Sequence, residues 1–176
     1  MTRPPDDSFW VLPRRLLAGP YPGAPSEPEA RSELDAFLDA GVTCFVDLTE
    51  EGEGPPLAPY AALVRERAAA RDVPVTLLRL PIRDVDVPAG WQMRAILATI
   101  RLALDAGETV YVHCWGGVGR TGTVLGCLLI ELGVPASEAL ARLAALRAGT
   151  ERAARTAPET AAQRDLVRAW RAAEPR

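Results

Sequence analysis

The chain has no lysine and no asparagine, one histidine and three cysteines in 176 residues, and all 20 of its basic side chains are arginine. Each scarcity excludes something. An odd, small number of cysteines, with no basic-then-apolar leader in residues 1–10, argues against a disulfide framework and makes the cytoplasm the expected compartment. The longest apolar run, near Val124–Ile130, is too short to cross a bilayer, so no membrane span is expected. A net charge of −3 gives no bulk reason to expect a nucleic-acid partner. Arginine without lysine, together with abundant alanine, fits a GC-rich coding genome and a bacterial source.

What is present is ordinary for a globular chain: 48% hydrophobic and 24% charged residues. The length suits one domain, burying roughly 70% of its unfolded surface. Residues 1–8 read as a disordered N-terminal tail and residues 9–173 as that domain.

Along the domain, Phe9–Leu12 and Leu16–Ala18 read as short strands, and Gly19–Gly23 breaks the chain. Ser26 with Glu29 three residues on forms a capping-box pattern ahead of a helix that Gly41 ends. Val42–Leu48 is a buried strand, residues 50–56 an acidic loop, and residues 57–71 a helix. Val75–Leu80 is a further strand, followed by the loop Pro81–Pro88 and a helix from Ala89 to Ala106. The run Thr109–Val112 is another strand, and Arg120–Leu132 is apolar on nearly all sides, which places it in the core. Helices over Pro135–Arg147 and Glu159–Ala173 close the chain. Strands alternating with helices predict an α/β domain with a central, mostly parallel sheet of about five strands flanked by helices.

Between that last strand and the core helix lies His113-Cys114-Trp115-Gly116-Gly117-Val118-Gly119-Arg120-Thr121-Gly122. A loop at such a junction turns successive N–H groups inward and meets the positive end of a helix dipole, so Trp115, Gly116, Gly117, Val118, Gly119 and Arg120 form a phosphate cradle. The glycines remove side chains where the backbone must approach the anion. Cys114, held as thiolate, attacks phosphorus and gives a phosphocysteine. Arg120 grips the phosphoryl oxygens with its planar fork, and more tightly as the transition state forms. Thr121 can donate a hydrogen bond to the departing sulfur, and His113 orients the loop. Backbone dipoles and Arg120 supply the positive charge, so neither a metal nor another cofactor is expected.

These residues resemble the signature His-Cys-x5-Arg-Ser/Thr of the cysteine-dependent protein phosphatases, and the short chain is similar to their compact dual-specificity type. The resemblance implies the protein tyrosine phosphatase fold and a general acid, an aspartate on a loop between a strand and a helix. Pro81-Ile82-Arg83-Asp84 is similar to that segment, which nominates Asp84 to protonate the leaving oxygen and then to take a proton from water; Asp86 is the rival. Ala157–Gln163 resembles the segment whose glutamine places the hydrolytic water, which nominates Gln163. The implied activity is hydrolysis of phosphotyrosine, with phosphoserine and phosphothreonine also in scope, in a phosphorylated protein. The alternatives are a nonprotein phosphate ester (a phosphoinositide, an RNA 5′ phosphate or another small ester) and a pseudophosphatase that binds without turnover. The oligomeric state stays open.

Five features depart from or embellish that pattern. Trp115 is bulky for a pocket rim, so it either shapes access or packs under a neighbouring loop. The loop has no basic residue besides Arg120, which disfavours inositol phospholipids, and without asparagine the chain lacks the ring-clamping segment of the longer tyrosine-specific enzymes. Arg79 and Arg83 are candidates for positive field at the mouth. Cys44 and Cys127 read as core residues; Cys127 lies roughly 10 Å along the helix axis from the loop, too far for a bridge to Cys114, and Cys44 remains a possible one.

Overall fold

The computed structural model describes residues 5–53 and 60–172. Five strands form one sheet: β1 (Phe9–Leu12), β2 (Leu16–Gly19), β3 (Cys44–Asp47), β4 (Thr76–Arg79) and β5 (Val110–His113). Their order is β1-β2-β5-β3-β4, and only the β1–β2 hairpin is antiparallel. Six helices are described: α1 (Glu27–Asp39), α2 (Tyr60–Ala69), α3 (Gly90–Asp105), α4 (Gly119–Glu131), α5 (Ala139–Arg147) and α6 (Ala161–Ala169). The expected α/β class, strand number and mainly parallel pairing are all present.

The helices divide between the two faces. Leu34, Phe37 and Leu38 of α1 pack with Tyr60 and Val64 of α2 over Leu17, Phe45 and Tyr111. On the other face, Ile96 and Ile100 of α3, Leu125 and Leu128 of α4, Leu143 of α5 and Val167 of α6 pack over Leu16, Val46 and Val112. Central β5 is buried along its whole length, as a strand covered on both faces must be. The connection before β4 runs over one face and the one after it over the other. The C-terminal ends of β3 and β5 therefore open onto the crevice where parallel sheets place their ligands.

Several element ends differ from expectation for local reasons. The segment Pro135–Glu138 forms a turn ahead of α5 instead of its first helical turn, with Glu138 N–H bonded to the Pro135 carbonyl at 2.8 Å. The last helix starts at Ala161, because Thr160 is extended and accepts the Gln163 N–H, a complete capping box. The helix read from Leu57 has its described part at Tyr60–Ala69, and Leu57 lies outside the described residues. Residues 1–4 of the tail lie outside them too, while Pro5–Ser8 form a turn closed by Ser8 N–H to the Pro5 carbonyl at 3.1 Å. Ser26 caps α1 as the pattern requires, accepting the Glu29 N–H.

Candidate active site

Strand β5 ends at His113, and α4 begins at Gly119, so Cys114–Val118 is the connecting loop. Val118 is the N-cap residue of α4 and offers no side-chain acceptor, which leaves the N–H groups of the first turn available to an anion. Gly117 has φ of +65°, and a Cβ there would lie 2.5 Å from the Gly19 carbonyl carbon, so no other residue fits. The loop leans on the segment after β2: the Tyr21 N–H donates to the Trp115 carbonyl at 3.0 Å, and the two rings lie 5.3 Å apart. Trp115 packs on Tyr21 and also lines the cavity.

That cavity, about 190 Å³, takes in Cys114, Trp115, Gly116, Val118, Gly119 and Arg120. Asp84 and Val85, from the loop after β4, and Arg155 and Glu159, from the segment before α6, also line it. Cys114 is buried at its base, 3% exposed.

Arg120 is buried, 2% exposed, and both its terminal nitrogens are engaged. Its Nη1 donates to Glu53 Oε2 at 2.6 Å and to the Ile82 carbonyl at 3.2 Å. Its Nη2 donates to Glu53 Oε1 and pairs with Asp84 Oδ1 at 3.0 Å. Burial works against the guanidinium charge, but Glu53 and the Cys114 and Asp84 charges more than offset it and raise its pKa further.

His113 is buried completely. Its Nδ1 lies 3.3 Å from the Cys114 carbonyl, which can only accept, so Nδ1 carries the proton. Its Nε2 then accepts the Tyr60 hydroxyl at 2.8 Å. Burial pushes the ring down to about 4, against an opposing pull from Asp47, so the imidazole is neutral at physiological pH. A neutral ring with both nitrogens occupied holds the loop carbonyl in place and has no proton to spare. Thr121 follows Arg120 on α4, and its Oγ1 is buried with no hydrogen-bond partner among the described residues. A buried hydroxyl without a partner keeps a donor free.

The two acid candidates separate. Asp84 lines the cavity with its side chain 63% exposed. Asp86 lies outside the lining, and its Oδ1 accepts the Val87 N–H at 2.8 Å. Gln163 is buried over Gly119, where a Cβ would sit 3.2 Å from its Oε1. Both ends of its amide are in use: Oε1 accepts the Thr160 N–H at 3.1 Å, and Nε2 donates to the Asp86 carbonyl at 3.1 Å.

Three residues of the site carried no assigned role in the sequence. Glu53 sits in the acidic loop after β3, at the strand end that opens on the crevice, and that position was its only signal. Arg155 and Glu159 lie between α5 and α6. Conversely, Arg79 and Arg83 do not line the Cys114 cavity. Arg79 pairs with Asp47 at 3.1 Å and lines a separate cavity with Tyr21 and Tyr60. Cys44 is opposite Val110 in the β3–β5 register, four residues short of Cys114. That is ~13 Å along a strand, beyond disulfide reach. Burial pushes the Cys44 thiol up to about 11 and Cys127 up to about 12, so both are inert core groups.

Comparison with known proteins agrees with this geometry. The family model PTP-SAK, described as "Swiss Army Knife protein, DSP-PTPase phosphatase domain", matches residues 5–174. A protein of Invertebrate iridescent virus 3 named as a tyrosine phosphatase (067L) is 32% identical over 126 residues, covering 69% of this chain and 45% of its own length. The chain thus spans about half of that relative. A solved structure of Tk-PTP in its active form superposes with a TM-score of 0.70 at 26% identity, covering 92% of this chain and 93% of that one. PTPMT1 in complex with PI(5)P shares the fold, with a TM-score of 0.68 at 21% identity over 93% of each chain. With a buried cysteine, a buried arginine and helix N–H groups around one cavity, the chain belongs to the DSP-PTPase phosphatase domain family.

Proposed function

We propose that this phosphatase acts chiefly on phosphotyrosine in proteins, with phosphoserine and phosphothreonine as lesser substrates, and that Cys114, Arg120, Asp84 and Thr121 do the chemistry. The observation that carries the assignment is a single cavity lined by Cys114, Arg120 and the first residue of α4. Trp115 and Val85 add apolar walls suited to an aryl ring, and Val85 is 59% exposed. The viral relative named as a tyrosine phosphatase supports the same substrate. A multiply phosphorylated headgroup suits the lining less, because its two arginines face two carboxylates, Asp84 and Glu159.

In the first step Cys114 Sγ attacks phosphorus and the bond to the leaving oxygen breaks, with Asp84 supplying the proton. Arg120 and the loop N–H groups take up the charge that builds on the equatorial oxygens. In the second step water attacks the phosphocysteine, its proton passes to a carboxylate of the cavity lining, the P–S bond breaks, and the Thr121 hydroxyl donates to the departing thiolate. Positive charge in this scheme comes from Arg120 and the amide dipoles, and no metal or cofactor takes a step. His113 and Tyr60 hold the loop. A cytoplasmic setting in a bacterium completes the proposal, supported by three unpaired thiols and by arginine-only basic composition; no described helix is long and apolar enough to cross a membrane.

The test is steady-state hydrolysis of p-nitrophenyl phosphate and a phosphotyrosine peptide in EDTA, for wild type and Cys114→Ser. Turnover that survives EDTA and disappears in the variant is expected. Turnover that persists in Cys114→Ser overturns the assignment.

A further inference from the structure

Two carboxylates reach the Cys114 cavity from opposite elements: Asp84 from the loop after β4, and Glu159 from the N-terminal approach to α6. Asp84 is paired with Arg120. Glu159 is held differently. Arg155 Nη2 binds its Oε1 at 2.6 Å, which fixes the carboxylate while leaving Oε2 turned toward the loop. A Cβ on Gly119 would lie 3.2 Å from Glu159 Oε2, so that oxygen hangs over the first residue of α4, on the anion-binding end of the helix. Arg155 spans the same mouth, since a Cβ on Gly116 would lie 3.7 Å from its Nη1. Gln163, beside Glu159, has both ends of its amide committed to Thr160 and Asp86.

With the phosphocysteine route above as its basis, we propose that Glu159 is a second catalytic carboxylate, the acceptor of the water proton in the hydrolysis of the phosphocysteine. Arg155 is its positioning residue. The two proton transfers are thereby divided. Asp84 gives its proton to the leaving oxygen as the P–O bond breaks, and the alcohol departs. Water then enters from the mouth; its oxygen bonds to phosphorus, its proton passes to Glu159 Oε2, and the P–S electron pair returns to Cys114 as thiolate. Glu159 afterwards loses the proton to solvent, and Asp84, whose side chain is also exposed, regains one from it. The placement favours Glu159 over Asp84 for this step. Asp84 Oδ1 is bound to a guanidinium that itself contacts Glu53, whereas the free oxygen of Glu159 faces the loop. The glycine at position 119 is what lets the carboxylate approach: a side chain there would push against both Glu159 and Gln163.

The assignment is tested by rapid mixing of p-nitrophenyl phosphate with wild type, Glu159→Gln, Glu159→Ala, Arg155→Gln and Cys114→Ser. Glu159→Gln should release one equivalent of p-nitrophenolate in a burst at the wild-type rate, then turn over about 100-fold more slowly, the usual worth of a general base. Acid-quenched enzyme should carry one phosphoryl group on Cys114 by intact mass. Glu159→Ala should show the same burst and regain turnover with added formate. Arg155→Gln should fall between wild type and Glu159→Gln in the slow phase alone. The burst itself shows that each variant is folded. Wild-type turnover in Glu159→Gln, or equal loss of burst and turnover, overturns the role of Glu159, provided that Cys114→Ser is inactive. Activity in Cys114→Ser overturns the phosphocysteine route, and this assignment with it.

Discussion

Glu53 grips both terminal nitrogens of Arg120, reaching across 67 positions of chain to hold the guanidinium at the end of the phosphate loop. Arg120 is 2% exposed and Glu53 18%, so the pair is shielded on the arginine side and wetted on the other. Glu53→Gln keeps the shape and removes the charge. It should cost about 1–3 kcal/mol of stability, read from urea unfolding, because it leaves a buried guanidinium short of one partner. With Arg120 less firmly aligned, kcat/KM for p-nitrophenyl phosphate should fall about 10-fold. Tighter binding of inorganic phosphate in the variant would instead show that Glu53 competes with substrate for the fork.

Asp84 and Asp86 are two residues apart, and only Asp84 lines the cavity. Asp84→Asn should lower kcat by about 100-fold or more on a phosphotyrosine peptide, whose leaving group needs a proton. The loss should be much smaller on p-nitrophenyl phosphate, whose leaving group does not. Asp86→Asn should stay within about 3-fold on both, since the Asp86 carbonyl bonded by Gln163 is retained. A reversed order would move the acid role to Asp86.

Arg120→Lys keeps the charge but loses the fork that meets Glu53 and phosphate together. Both KM and kcat should suffer, with kcat/KM down by about 100-fold or more. A loss under about 5-fold would mean that the guanidinium plane is not what phosphate meets.

The buried ring of His113 has its pKa lowered to about 4 from an ordinary 6.5. Because the folded state resists the proton that the unfolded chain accepts, His113 costs nothing above pH 6.5. It destabilises the fold progressively as pH falls toward 4, and not further below that. Urea midpoints at pH 7, 5.5 and 4.5 should therefore decline, and His113→Gln, though less stable at pH 7, should show a shallower decline. Parallel slopes in the two proteins would assign the acid sensitivity elsewhere.

Much of this site was legible because its parts are neighbours in sequence. The His-Cys-x5-Arg-Thr run lies on one strand, one loop and one helix start, so its chemistry could be read without a fold. The sheet was equally legible: Val110–Val112 and Phe45–Val46 are short apolar, β-branched or aromatic runs between helices, the pattern of a parallel strand covered on both faces. Glu53, Arg155 and Glu159 were not legible as site residues, because an exposed-looking acidic loop and an Ala/Arg-rich turn reveal nothing until tertiary contacts bring them to the mouth. Arg79 misled for the converse reason: it ends the edge strand β4, but its register partner Asp47, at the end of β3, captures it. The register of β3 on β5, which sequence does not specify, is what separates Cys44 from Cys114.

The bond from Gln163 Nε2 to the Asp86 carbonyl joins the acid-bearing loop to the cap of α6. One side chain therefore completes a helix terminus and fastens the loop that must face the substrate. Ordering that loop becomes part of the folding equilibrium, and the conformational entropy it loses is lost once, when the domain forms. A phosphate ester arriving at Cys114 meets a preorganised wall, so its affinity is not divided by the population of a closed conformer.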